Sequence, residues 1–266
     1  MSGSAEDGYA EAVRVLRAAG CVYAEEEARL ILDDGRDPGD LLARRAAGEP
    51  LEWVLGWAFF GTEDGDGLRV AVGPGVFVPR ARTVELAVAA AELLPADGTC
   101  VELCCGSAAI TAYLHRLAPR AHYVAADIDP VAVACARDNL PFATVGCGDL
   151  FESVPDALRR TVDVLVANTP YVPTDAVALM PPEAKDHEPR HTLDGGPDGL
   201  ALLRRIATAA PTWLRPGGAV LIEISETQYD AARAAFETAG LATAARIDPD
   251  GTTVVIGVAP LPPEHR

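Results

Sequence analysis

Between Cys100 and Ala167 four strand-sized apolar runs alternate with helix-length segments, and no other feature limits the fold of this chain as tightly. Cys100-Val101-Glu102-Leu103-Cys104 reads as a strand, followed by a turn that opens a helix running to about Leu117. His122-Tyr123-Val124-Ala125-Ala126 is the next strand and ends on Asp127. Thr144-Val145-Gly146-Cys147 is a weaker third, and Val162-Asp163-Val164-Leu165-Val166-Ala167 is the fourth. Short runs rich in β-branched residues suit strands buried on both faces, and strands that alternate with helices pair in parallel. The prediction is an α/β fold with a doubly wound, mostly parallel sheet. Later runs at 219–224, 242–247 and 252–258 bring the strands to seven, with helices predicted at 83–94, 199–214 and 227–239. The last two runs flank the turn Asp248-Pro249-Asp250-Gly251, which predicts an antiparallel pair at the sheet edge.

Open sheets of this kind bind ligands beyond the carboxyl ends of their strands, so the residues after each run carry the functional reading. The fourth strand ends in Asn168-Thr169-Pro170-Tyr171. The Asn168 side-chain oxygen and the Thr169 carbonyl are both acceptors, and together they could hold the two hydrogens of a planar –NH2 group. Thr169 precedes a proline, which biases its backbone to extended conformations and restricts the aim of its carbonyl. Tyr171 can lie against the flat face of a bound amide or base. An amide nitrogen is a poor nucleophile because its lone pair is delocalised; acceptors on both hydrogens push density back to it. After the first strand, Gly106 stands 21 positions before Asp127. That is close to the roughly 20 residues between a nucleotide-binding turn and the carboxylate that takes ribose hydroxyls. After the third strand, Asp149 and Leu150 could frame the edge and face of an adenine.

Residues 1–50 read as a small N-terminal helical domain. Tyr9, Val13 and Leu16 share a face before Gly20, Ala24, Ala28 and Ile31 share one before Gly35, and Leu41 and Leu42 precede Gly48. Residues 51–80 turn aromatic and glycine-rich, and Leu68-Arg69-Val70-Ala71-Val72 alternates like a strand, which predicts a β-hairpin linking the bundle to a main domain at 81–266. At that junction Arg80 could face a ligand or close a surface ion pair, and Glu223 near a strand end could face the pocket. Composition narrows the rest. No apolar run approaches the roughly 20 residues that span a bilayer, and the opening Met1-Ser2-Gly3-Ser4 lacks a basic-then-apolar signal, so a cytoplasmic protein with no membrane partner is expected. A formal net charge of −17 argues against a nucleic-acid partner, whose phosphates need clustered Lys and Arg. The six cysteines show neither C-x-x-C spacing nor a companion histidine motif, so reduced, mostly buried thiols and no metal site are expected.

Taken in order, seven runs resemble the HemK/PrmC family: Phe59-Phe60-Gly61, Val78-Pro79-Arg80, Val101-Glu102-Leu103-Cys104-Cys105-Gly106-Ser107, Asp127-Ile128-Asp129-Pro130, Asn168-Thr169-Pro170-Tyr171, Glu188-Pro189 and Leu193-Asp194-Gly195-Gly196-Pro197-Asp198-Gly199-Leu200. The likeness covers nearly the whole chain. It implies a class I, Rossmann-like methyltransferase that uses S-adenosylmethionine, leaves S-adenosylhomocysteine, and modifies the glutamine amide of a peptide release factor. It assigns Cys104, Cys105, Gly106, Ser107 and Ala108 to the methionine part of the cofactor, Asp127 with Ile128 to the ribose side, and Asp149 with Leu150 to the adenine. It also implies that Asn168, Thr169 and Pro170 hold the substrate amide, with Arg80 on the substrate side. Asn168, which also borders the cofactor, and Tyr171 would be the catalytic pair. The chain departs from the family pattern at Cys104 and Ala108, where D-x-G-x-G-x-G has glycines, and at Thr169, where N-P-P-Y has proline. It departs again at Ala81-Arg82-Thr83-Val84 for P-E-T-E, and the bundle is shortened around 35–39. These departures leave two other expectations: the same chemistry on a small-molecule amine or amide, or a non-catalytic interaction protein with a degenerate cofactor site.

Overall fold

A computed structural model describes residues 3–62, 67–248 and 251–262; Met1, Ser2 and the Pro249-Asp250 centre of the expected turn lie outside them. The chain opens with helices α1 (Gly3–Ala18), α2 (Ala24–Leu32) and α3 (Pro38–Ala46). Asp37 caps α3 by accepting the Gly39 N–H, with Pro38 in the first turn where its missing N–H costs nothing. Leu16, Ala28, Ile31 and Leu41 form the core between these helices. A five-residue helix, α4 (Leu51–Leu55), then occupies a stretch where the sequence predicted only a hairpin; Gly56, at φ 80°, ends it. Short helices of this kind carry too few turns to show a period, so the aromatic content dominated the reading. Strands β1 (Trp57–Phe60) and β2 (Leu68–Ala71) pair antiparallel, with Phe59 opposite Arg69.

The main sheet follows α5 (Val84–Leu93) and comprises β3 (Thr99–Leu103), β4 (His122–Asp127), β5 (Thr144–Cys147), β6 (Val162–Ala167), β7 (Leu214–Ser225), β8 (Ala242–Ile247) and β9 (Thr252–Val258). Between them run α6 (Ala109–Leu117), α7 (Pro130–Asn139), α8 (Pro182–His187), α9 (Ala201–Trp213) and α10 (Tyr229–Thr238). The strand order is β5-β4-β3-β6-β7-β9-β8. Because side chains alternate along a strand, each central strand feeds two cores. Cys100, Val164 and Val166 pack with α5 and α6, whereas Val101, Leu103 and Leu165 pack with α9 and α10.

The expected antiparallel pair stands at the sheet edge: β9 lies between β7 and β8, so the edge strand β8 runs with the main sheet and β9 alone opposes it. One strand boundary differs. β7 begins at Leu214, five residues before the expected start, because Leu214 pairs with Val162 and a register shift between Val162 and Val164 takes up Pro216-Gly217-Gly218. The cysteines are free, but only Cys100 and Cys105 are buried; Cys21, Cys104 and Cys135 are half-buried and Cys147, ending the edge strand β5, is exposed. Among the described residues no helix is long and apolar enough to cross a membrane.

Candidate functional site

A cavity of about 290 Å³ opens beyond the carboxyl ends of β3, β4, β5 and β6. β3 stops at Leu103 because the chain then enters the left-handed region at Cys104 (φ 53°), Gly106 (φ 55°) and Ala108 (φ 58°). For the two non-glycine residues that conformation costs about 1–2 kcal/mol each, which explains why glycine is the family's choice there. The turn is held from outside: the Cys105 N–H donates to the Ala126 carbonyl at 3.1 Å and the Gly106 N–H to Asp127 Oδ2 at 2.8 Å. Asp127 Oδ1 accepts the Asp129 N–H at 2.9 Å. Burial raises the Asp127 carboxyl above its ordinary value, and these two backbone donors oppose that rise. Beneath the turn, Glu102 is buried with Oε2 accepting the Thr111 N–H at 2.9 Å, and burial pushes its carboxyl up to about 7.

Cys104, Cys105, Gly106, Ser107, Asp127 and Ile128 all line the cavity, as do Asp149 and Leu150. Ala108 does not; it is fully buried at the start of α6. Ile128 leaves 59% of its surface exposed. Asp149 pairs with Arg205 of α9 at 2.8 Å, and Leu150 takes a positive φ of 54°.

Asn168, Thr169, Pro170 and Tyr171 form the wall beyond β6. Asn168 Nδ2 donates to Thr83 Oγ1 at 3.1 Å. Asn168 Oδ1 and the Thr169 carbonyl have no hydrogen-bond partner among the described residues. The Tyr171 hydroxyl donates to Glu223 Oε1 at 3.3 Å, and the Arg82 Nε–H donates to the same oxygen at 3.1 Å. The Arg82 guanidinium also stands 5.6 Å from the Tyr171 ring centre. Burial and the neighbouring Glu223 push the Tyr171 phenol up to about 12. Glu223, expected to face the pocket, is buried and does not line the cavity; it reaches the wall through Tyr171 and Arg82.

The backbone of this wall is clamped by residues 193–200. The Val172 N–H donates to the Leu193 carbonyl at 3.2 Å, the Gly195 N–H to Val172 at 2.8 Å, and Gln228 Nε2 to the Tyr171 carbonyl at 2.8 Å. A Cβ on Gly195 would stand 2.5 Å from the Pro170 oxygen, and one on Gly199 would overlap the Tyr171 oxygen and the Gln228 amide. That close approach is why the run carries glycine. Arg80 lines the cavity, but its guanidinium is committed to Glu188, with Nη2 at 2.6 Å from both carboxylate oxygens. Sequence reasoning passed over Phe77, Arg82, Thr83, Asp129, His191 and Arg205 as cavity residues. Arg82 and Thr83 sit in the segment where the family pattern is broken, and Asp129 lies within the Asp127–Pro130 run; Phe77, His191 and Arg205 carry no local signal.

A family model described as methyltransferase small domain matches residues 68–181. A protein named release factor glutamine methyltransferase from Mycolicibacterium smegmatis is 38% identical over 212 residues, covering 76% of this chain and 73% of that protein. The protein of the same name from Cereibacter sphaeroides is 34% identical over 265 residues, covering 90% of this chain and 91% of its own length. Among solved structures, the T. thermophilus 16S rRNA N2 G1207 methyltransferase, in complex with AdoMet and guanosine, superposes with a TM-score of 0.54 at 19% identity. That likeness spans 76% of this chain and 50% of the other. The mostly parallel, seven-stranded class I methyltransferase fold expected from the sequence is the fold observed.

Proposed function

This chain belongs to the release factor glutamine methyltransferase family, and from that premise we propose that it methylates the side-chain amide nitrogen of a glutamine in a peptide release factor, with S-adenosylmethionine as donor. What carries this reading is the acceptor pair on the cavity wall, Asn168 Oδ1 and the Thr169 carbonyl, both without an intramolecular partner among the described residues. Neither a small-molecule acceptor nor a non-catalytic role is favoured by relatives that match along most of the chain.

The residues at the turn suit the cofactor. Each Asp127 oxygen keeps a lone pair beyond its backbone hydrogen bond and can accept a ribose hydroxyl. Exposed Ile128 and the buried side chain of Leu150, both on the cavity lining, supply apolar surface for an adenine, with Asp149 at its edge. Where a Cβ on Gly106 would point there is open space, with Phe77 Cβ at 4.0 Å, so the backbone of residues 104–108 can approach a ligand closely. When bound, S-adenosylmethionine supplies an electrophilic methyl group on a sulfonium sulfur.

The protein's own part is alignment. Asn168 Oδ1 and the Thr169 oxygen accept the two N–H bonds of the glutamine amide, which fixes the plane of the amide and raises electron density on its nitrogen. Tyr171, held by Glu223, packs on the amide face. Methyl transfer would form the N–C bond as the sulfonium S–C bond breaks and the bonding pair leaves with S-adenosylhomocysteine; the surplus N–H proton of the methylated nitrogen would pass to water, while Asn168 and Thr169 hold the amide in line. Positioning of this kind can supply most of a rate enhancement. Arg80 contributes by fixing the Glu188 segment beside the cavity, not by offering a free cation.

The test is transfer of labelled methyl from S-adenosylmethionine to a purified release factor, with small-molecule and nucleic-acid fractions of a cell extract counted alongside. Label on a release-factor glutamine is the expected result. Label confined to another fraction, or no label together with no calorimetric cofactor binding, would overturn the proposal. Asn168→Ala should lower turnover by about 10²-fold or more, as loss of a single preorganised polar contact to a reacting group does elsewhere, while calorimetric affinity for the cofactor changes little.

A further inference from the structure

An asparagine side chain is nearly symmetric in shape, and only its hydrogen-bond partners decide which end it turns to a ligand. At Asn168 the choice is decisive. With Oδ1 toward the substrate it accepts an amide N–H; turned over, it would set two donors against two donors. Neither β6 nor the following proline determines that orientation, because both act on the backbone.

Among the described residues the one side-chain partner of Asn168 is Thr83, whose Oγ1 receives the Nδ2–H at 3.1 Å across 85 positions of sequence. Thr83 is fixed in its turn. It is 3% exposed, closes the single turn Ala81–Thr83 by donating its N–H to the Arg80 carbonyl at 3.0 Å, and packs at the head of α5. It also lines the cavity. The Thr83 hydroxyl can donate or accept as water can; what distinguishes it is a position fixed by a buried turn, and in that position it receives the Nδ2–H.

Resting on the reading of the acceptor pair above, we propose that Thr83 is a positioning residue for methyl transfer: it holds the Asn168 amide nitrogen so that Oδ1 is presented to the substrate N–H. Thr83 does not itself touch the reacting atoms. Its neighbour Arg82, through Glu223, holds the other arm of the wall at Tyr171, so one short turn braces both side chains.

The experiment compares wild type with Thr83→Val, Thr83→Ala and Thr83→Ser in steady-state methylation of a release factor, with cofactor affinity measured by calorimetry and folding by circular dichroism. Thr83→Val keeps the shape and removes the hydroxyl. It should lower kcat about tenfold, equivalent to about 1.4 kcal/mol, while KM for the protein substrate and cofactor affinity stay within about a factor of two of wild type. Thr83→Ser should restore kcat. Wild-type kcat in Thr83→Val, or Thr83→Ser as impaired as Thr83→Val, would overturn the role. If the valine variant does not fold, the alanine and serine variants make the same comparison: hydroxyl absent against hydroxyl present. An inactive wild type would instead remove the functional reading beneath it, so the two failures are separable.

Discussion

Glu102 shows how a single residue couples the fold to solution conditions. Its carboxyl is buried at the end of β3, and burial pushes it up to about 7 from an ordinary 4.5. In the unfolded chain it ionises near the ordinary value, so between those two pH values the native state binds more protons than the unfolded one. Stability must then fall as pH rises through that window and level off above it. Glu102→Gln keeps an acceptor for the Thr111 N–H and removes the titration. Its Tm advantage over wild type should grow from about pH 5 to about pH 7.5 and then stop growing; a constant difference across that range would mean Glu102 is ionised throughout. Gly199 makes a second residue-scale case. Its φ of 77° and a Cβ position that overlaps the Tyr171 oxygen combine two penalties, whereas Gly240 at φ 79° has nothing within 4 Å. Alanine at Gly240 should cost only the backbone term, about 1–3 kcal/mol. Alanine at Gly199 should cost more and also lower methyl transfer, because the clash is with backbone that positions Tyr171. Denaturant midpoints of the two variants give the difference directly.

At the scale of elements, the strands from β3 to β6 were legible because buried parallel strands leave short, nearly unbroken apolar runs, and their ends were legible because the next residues are turn formers or acids. The partnerships between elements were not. Thr83 and Asn168 are 85 positions apart, Arg80 and Glu188 108, and Arg82 and Glu223 141. No periodicity announces such pairs, so the sequence named residues of the cavity wall and missed the side chains hydrogen-bonded to them. The order of β8 and β9 was hidden for a similar reason, since either order satisfies the same alternation. The Arg80–Glu188 pair yields a prediction at this scale. The Glu188 side chain is 1% exposed and also accepts the Val78 N–H at 3.3 Å. Arg80→Ala strands that charge in the interior and should cost about 3 kcal/mol. Glu188→Gln removes the charge that needs the arginine and should cost distinctly less. Urea midpoints in the reverse order would mean that Arg80 stabilises through packing on Phe77, whose ring centre lies 4.7 Å from its guanidinium, and not through the ion pair.

Across the whole molecule, three apolar cores are linked by charge. Two flank the main sheet and the third lies within the N-terminal helices. Arg45 pairs with Glu27 inside that bundle at 2.7 Å and stands 3.4 Å from Glu183 of α8, in the segment whose Met180 and His191 line the cavity. Against these local attractions stands the surplus of 39 acidic over 22 basic side chains. Most of the described pairs are substantially solvent-exposed, such as Arg14–Glu11 and Arg120–Asp97, and pairs of that kind contribute only about 0–1 kcal/mol each. The surplus repels itself over the whole surface, and the range of that repulsion shrinks from a Debye length of about 30 Å at 0.01 M salt to about 8 Å at 0.15 M. Salt therefore weakens two opposed terms at once. Because the buried Arg45–Glu27 pair is screened least and the exposed pairs are weak, relief of repulsion should dominate. Tm should rise as sodium chloride goes from about 0.01 M to about 0.15 M and flatten beyond it. A fall over the same range would put the balance in the partly exposed pairs between elements, Arg246–Glu85 from β8 to α5 and Arg215–Asp163 from β7 to β6. Neutralising those arginines one at a time would then abolish the fall.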